Sequence, residues 1–137
     1  MLNNDTTVSP TAIAHLVAFG KKYPDAALMA PKIMQATANG FQVSEPDGWV
    51  RTPKLSACLI PAWLTFRTAS AAEDVSKIPP FRIYYAPGCA MMFRSKTFAQ
   101  VGLFDEMTFL YYEEFIMAEK LNRANLTTYY VPDAVVN

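Results

Sequence analysis

Several common signatures of function are missing from these 137 residues. Twelve basic and twelve acidic side chains cancel to a formal charge of zero, and no Lys/Arg cluster is dense enough to follow a phosphate backbone. Nucleic acid is therefore not an expected partner. Long apolar runs are also lacking: Ala57 to Phe66 and Ala86 to Phe93 fall far short of the roughly 20 residues that cross a bilayer, so no transmembrane span is expected. The opening Met1 Leu2 Asn3 Asn4 Asp5 has neither the basic region nor the apolar core of a signal peptide, and the expected location is cytoplasmic. Cysteine is scarce. Cys58 and Cys89 stand in apolar surroundings without a second Cys or His at metal-ligand spacing, so both are expected to be reduced core residues. The lone His15 lies beside an apolar helical stripe, where a structural role is expected.

What remains is a chain of 52% apolar residues, ample for one packed domain, without an internal repeat. Ser9 and Pro10 supply an N-cap and a first-turn proline for a helix over Pro10 to Lys22, with Lys21 and Lys22 at the negative end of its dipole and Pro24 forbidding continuation. Ala26 to Ala30, closed by Pro31, has the length of a buried strand. Asn39 Gly40 marks a hairpin turn and Pro46 Asp47 Gly48 a second turn. Leu55 to Phe66 and Ala69 to Pro80, both interrupted or ended by proline, carry little readable periodicity.

Further on, Ile83 to Phe93 reads as one central strand, in which Gly88 would let something approach the backbone closely. Ser95 should cap a short helix that Gly102 stops. Glu113 to Ala124 has helical amphipathicity, and Thr127 to Val131 is a β-branched and aromatic strand ended by Pro132 Asp133. Alternating strands and helices predict a layered α/β domain.

Two acidic clusters carry the chemistry. Asp5, with neutral Asn3 and Asn4 beside it, offers the hard oxygen that a divalent cation on a diphosphate needs, since phosphates and water complete such a shell. The same residues before a helix are also ordinary turn and capping chemistry. Glu113 and Glu114 open a helix, where acids are common for stability alone. Phe109, Leu110, Tyr111, Tyr112 and Phe115 frame them, however, and such a frame would desolvate one carboxylate and make it a better base, against the pull of the dipole. Asp105 and Glu106 are either a turn or contacts to a sugar.

Taken in order, these segments resemble the inverting family 2 glycosyltransferases, especially rhamnosyltransferase-like enzymes of bacterial polysaccharide assembly. The resemblance runs through Leu2 Asn3 Asn4 Asp5 Thr6, Pro24 Asp25 Ala26, Ala30 Pro31 Lys32, and Gly88 with Met91, Met92 and Arg94. It continues through Val101 Gly102 Leu103 Phe104 Asp105 Glu106, Phe109 to Glu114, and Tyr130 to Val136. Each piece is short, and their shared order and spacing carry the likeness. It implies a partial GT-A fold, a nucleotide-sugar donor, a glycan or lipid-linked acceptor, and Mg2+ or Mn2+.

Carried over by position, Asp5 is the metal and diphosphate ligand, with Asn3 and Asn4 on the donor. Glu114 is the catalytic base, preceded by Glu113, and Gly88, Asp105 and Glu106 face the acceptor. Glu114 departs from the family's usual aspartate by one methylene. Ile116 stands where many members have a second acid, and Lys120 where many have arginine. Because the metal motif opens the chain, the resemblance also implies an incomplete catalytic domain, spanning residues 1–137 and inactive alone. The full-length enzyme would work at the inner face of the membrane through peripheral association. The alternatives are a non-catalytic interaction module or gene fragment of this fold, whose open sheet edge would self-associate, and a carbohydrate-binding module built on Trp49 and Trp63, whose more usual role is as core or loop anchors.

Overall fold

The computed structural model describes residues 1–38, 40–43, 78–108 and 112–137. The expectations for Pro46 to Gly48, Leu55 to Phe66, most of Ala69 to Pro80, Cys58, Trp49 and Trp63 lie outside the described residues, as do Phe109, Leu110 and Tyr111.

Among the described residues, five strands form one mixed sheet with helices on both faces, the layered α/β arrangement that the alternation predicts. At its centre β1 (Ala26–Thr37) runs parallel to β5 (Thr127–Val136). The other edge of β1 is shared by two antiparallel partners, β2 (Gly40–Val43) along Met34–Thr37 and β4 (Met92–Phe93) along Leu28–Met29. Beyond β5 lies antiparallel β3 (Phe81–Ile83). β1 and β2 pair as far as Thr37 with Gly40, and Gly40 takes φ +117°, a backbone that suits glycine, while Asn39 lies outside the described residues.

Three strand boundaries differ from the sequence expectation. Neither Pro31 nor Pro132 ends its strand. The β1–β5 register pairs Pro31 with Val131 and then jumps to Lys32 with Val135, so both prolines sit at an irregularity where a missing N–H costs no ladder bond. The run Ile83 to Phe93 is not one strand. It is β3 and β4 separated by an irregular loop around Pro87 and Gly88, and the two strands pair with different neighbours.

Helix α1 (Ala12–Lys22) buries Ala12, Leu16 and Phe19 against Ala26, Met29, Tyr129 and Val131 on one sheet face. It starts two residues after Pro10, with Thr11 rather than Ser9 at the N-cap. The Ser9 N–H is already committed to Val135 O (3.1 Å), beside the antiparallel bridge of Val8 with Val136. On the opposite face, α2 (Ser95–Val101) and α3 (Glu113–Arg123) cover Leu28, Ala30, Ile83 and Tyr130 with Phe98, Met117 and Leu121. Ser95 is the first residue of α2 rather than its cap. Arg94 holds the cap position with extended backbone, and Gly102 (φ +79°) stops the helix as expected.

Arg94 fastens these layers together. Its guanidinium donates to the carbonyls of Ala26 (2.7 Å), Tyr23 (3.0 Å) and Gly20, tying the end of α1 to the start of β1. Its main-chain N–H donates to Ala27 O (3.0 Å).

Candidate functional site

Among the described residues, the first acidic cluster is tied down by main-chain bonds. Leu2 bridges Ala90, the Asn3 N–H donates to Cys89 O (3.0 Å), and the Met91 N–H donates to Met1 O (3.0 Å). Thr7 and Asn137 exchange a pair of bonds at 2.7 and 2.8 Å, tying the other end of the segment to β5. Between these anchors the chain turns, with Thr6 N–H donating to Asn3 O (3.3 Å), and leaves the side chains of Asn3, Asn4 and Asp5 exposed. The polar run makes a turn because its backbone ends are fixed, while its side chains keep their solvent and their freedom to take a ligand.

The second cluster is built from side-chain packing. Met117 and Leu121 anchor α3 in the core, and Phe115 packs on Tyr85 of the 84–91 loop with ring centroids 4.4 Å apart. Tyr112 enters the helix with left-handed backbone (φ 72°), uncommon for a side-chain-bearing residue, and makes no side-chain cap. Glu113 and Glu114 sit in the first turn of α3. One Glu113 oxygen, Oε2, is buried without a hydrogen-bond partner among the described residues, and Glu114 Oε1 lies against the open side of Gly88. The close approach expected at Gly88 is thus made by Glu114.

Cys89 joins the two clusters. It is a free, half-buried thiol pushed up first by burial, against main-chain hydrogen bonds that pull it down, and then by the charges of both Asp5 and Glu114. Tyr85 is likewise raised by burial and by Glu114. Asp5 and Glu114, 109 residues apart in the sequence, act on the same thiol. The sequence reading of Cys89 as a simple core residue missed this, although its place next to Gly88 was the available signal.

The remaining candidates are engaged locally. Asp105 accepts the Met107 N–H on Oδ1 (3.0 Å), and its carbonyl accepts Thr108 Oγ1 (2.9 Å), which is the turn role. Glu106 is exposed. Lys120 Nζ donates to Leu103 O (2.7 Å), lashing α3 to the same turn. His15 is exposed and meets Asp133 O at 2.5 Å, in keeping with a structural role. A cavity of about 560 Å³ between α1 and α2 is lined by apolar groups such as Leu16, Met91 and Phe98, and by none of the acidic candidates.

The donor set bears on a metal. Among the described residues no three His, Cys, Asp or Glu side chains group as a metal cage. Among these candidates the hard-oxygen donor is the exposed carboxylate of Asp5, with two neutral amides beside it. That set fits a hard cation delivered on a diphosphate better than a resident metal.

This sheet, with its acidic turn and its helix-borne carboxylates meeting at one loop, has the GT-A glycosyltransferase fold. It superposes on a crystal structure of GalNAc-T7 with UDP, GalNAc and Mn2+ at a TM-score of 0.65, covering 98% of this chain and 26% of that one at 20% identity, a likeness of fold. In sequence the chain is similar to N-acetylglucosaminyl-diphospho-decaprenol L-rhamnosyltransferase of Mycobacterium tuberculosis, strains CDC 1551 / Oshkosh and ATCC 25618 / H37Rv. It is 26% identical to each over 135 residues, 98% of this chain. The chain spans 44% of the length of these curated relatives. No family model matches it. The rhamnosyltransferase-like resemblance read from the motifs is borne out. Among the described residues no helix is long and apolar enough to cross a membrane.

Proposed function

We propose that this chain is the metal-side and acceptor-side part of an inverting, family 2-like glycosyltransferase of bacterial polysaccharide assembly, acting at the cytoplasmic face of the membrane. The observation that supports the reading is that the Asn3 N–H bonds Cys89 O while Glu114 Oε1 lies against Gly88, so that both acidic clusters reach one loop. By analogy with the rhamnosyltransferase relatives, the donor is a nucleotide-sugar and the acceptor a lipid-linked or glycan hydroxyl.

In this mechanism Asn3 and Asn4 hydrogen-bond the donor, and Asp5 is the residue that would hold Mg2+ or Mn2+, which when bound would supply positive charge to offset that of the leaving diphosphate. The acceptor oxygen attacks the anomeric carbon as the bond from that carbon to the diphosphate oxygen breaks, and the bonding electron pair leaves with the diphosphate. A carboxylate is too weak to ionise a sugar hydroxyl in advance, so Glu114 takes the proton as the new bond forms. Glu113 keeps the first turn of α3 against the loop. Asp105 and Glu106 shape the acceptor side through their turn.

Because the chain spans 44% of its relatives, we further propose that the remainder of such an enzyme supplies the nucleotide pocket. Calorimetry of the 137 residues with UDP- or dTDP-sugars and Mn2+ should give no binding tighter than millimolar. Transfer by an enzyme containing the chain should be lost in Asp5→Asn and Glu114→Gln. Full transfer in both variants would sink the assignment.

A further inference from the structure

Gly88 presents an unusual demand for glycine. Left-handed φ values occur among the described glycines at Gly40 and Gly102, not at Gly88, so its backbone is one that any residue adopts. The need for glycine is instead spatial. A Cβ built there would run into Glu114 Oε1 and stand 3.2 Å from Cδ and 3.5 Å from Cγ of the same side chain. No other residue supplies the three nearest atoms. The next residue, Cys89, accepts the Asn3 N–H and feels the charges of Asp5 and Glu114.

We propose that Gly88 is a positioning residue for Glu114: its missing side chain leaves the space that the Glu114 carboxylate fills, setting that carboxylate beside the loop to which the Asp5 turn is bonded. Its functional meaning rests on the reading of Glu114 as the base, but the geometry does not. The space above Gly88 is therefore taken by the protein's own carboxylate rather than kept for the acceptor.

The test needs no sugar, so its failure is distinguishable from failure of the transferase reading. In a Cys58→Ser background, where Cys89 is the remaining thiol, thermal unfolding of Gly88→Leu, Glu114→Ala and the double variant forms a cycle. Gly88→Leu should lower the midpoint by roughly 5 °C, as an overpacked site does. Glu114→Ala should restore most of that loss. Additive effects, or failure of both Gly88→Leu and the double variant to fold, would overturn the proposal, because clearing position 114 would not have removed the obstruction.

A second measurement follows where the carboxylate goes. Gly88→Ala obstructs only the far end of a flexible side chain, so it should fold and push the Glu114 carboxylate off the loop. Iodoacetamide alkylation of Cys89 at neutral pH should then be faster than in the parent, as it should in Glu114→Gln, with no further gain in the double variant. The added methyl alone would bury the thiol more and slow the reaction, so an unchanged or slower rate in Gly88→Ala counts against the proposal.

Discussion

The two acidic clusters reach the same loop by opposite means. Asn3 to Asp5 hangs between main-chain anchors at Cys89 and Asn137, with all three side chains exposed. Glu113 and Glu114 are carried by a packed helix, entered through a left-handed tyrosine and admitted by a glycine. A ligand-binding turn of the first kind tolerates side-chain change without loss of fold. A carboxylate of the second kind rides on a helix packed into the core, and were it the base, small displacements there would be costly to rate. The contrast suits their proposed tasks, since a diphosphate brings its own metal and water while a proton transfer requires fixed geometry.

The largest effect should come from the packed cluster. Glu114→Gln keeps shape and removes the proton acceptor, so transfer by an enzyme carrying this chain should fall about 10²- to 10⁴-fold, chiefly in kcat. Asp5→Asn should act instead on donor binding, raising the donor KM and the Mn2+ concentration required. Initial-rate kinetics over both substrates and metal would check the pair. The same kcat–KM split in the two variants would erase the functional distinction between the clusters.

Next in size is a test of how each cluster is held. Leu121 is 1% exposed on the buried face of α3, and Leu121→Ala should cost about 2–5 kcal/mol in urea unfolding through transfer and cavity terms. Leu2, 49% exposed beside the first cluster, should cost under about 1 kcal/mol when truncated to Ala. Equal losses would mean that the Asp5 turn depends on packing after all.

How much of this contrast was legible in the sequence depended on range. The helices α1 and α3, the start of β2 at Gly40 and the stop at Gly102 follow from local chemistry, and the structure keeps them within two residues. Strand lengths were misread because the effect of Pro31 and Pro132 depends on their shared position at a register jump, a property of two distant segments. The split of Ile83–Phe93 has the same origin, since Phe81–Ile83 pairs with β5 and Met92–Phe93 with β1. Similarly, residue types named Asp5 and Glu114 as candidates and the family resemblance gave them roles. That Cys89 lies under both charges follows only from the fold.

A pH-dependent effect of intermediate size arises in the core shared with α3. Tyr130 is fully buried, and burial pushes its phenol from the ordinary 10 up to about 12. The neutral phenol is favoured in the folded state, so this contribution is fully present below pH 10 and is lost as pH rises from about 10 to about 12. The loss amounts to about 2–3 kcal/mol. Urea midpoints across that range should fall, and Tyr130→Phe should flatten that part of the decline. An identical alkaline slope in the variant would assign the effect to other groups, such as Tyr84 and Tyr85, which burial also raises.

The smallest effect tests the left-handed entry to α3. Side-chain-bearing residues pay roughly 1–2 kcal/mol for that backbone, while glycine takes it freely but loses up to about 1 kcal/mol of chain entropy. Tyr112 is 69% exposed, so its ring gives up little burial when removed, apart from the contact with Phe115 at 6.1 Å. Tyr112→Gly should therefore stabilise the fold by about 0.5 kcal/mol, read as a small rise in thermal midpoint, whereas Tyr112→Ala, still left-handed, should not. In an enzyme carrying the chain, Tyr112→Gly should also lower kcat severalfold with donor KM unchanged, because the freed backbone no longer fixes the first turn that bears Glu114. A stabilised variant with undiminished kcat would show that the strained tyrosine is incidental, and that α3 packing and Gly88 alone distinguish the second cluster from the first.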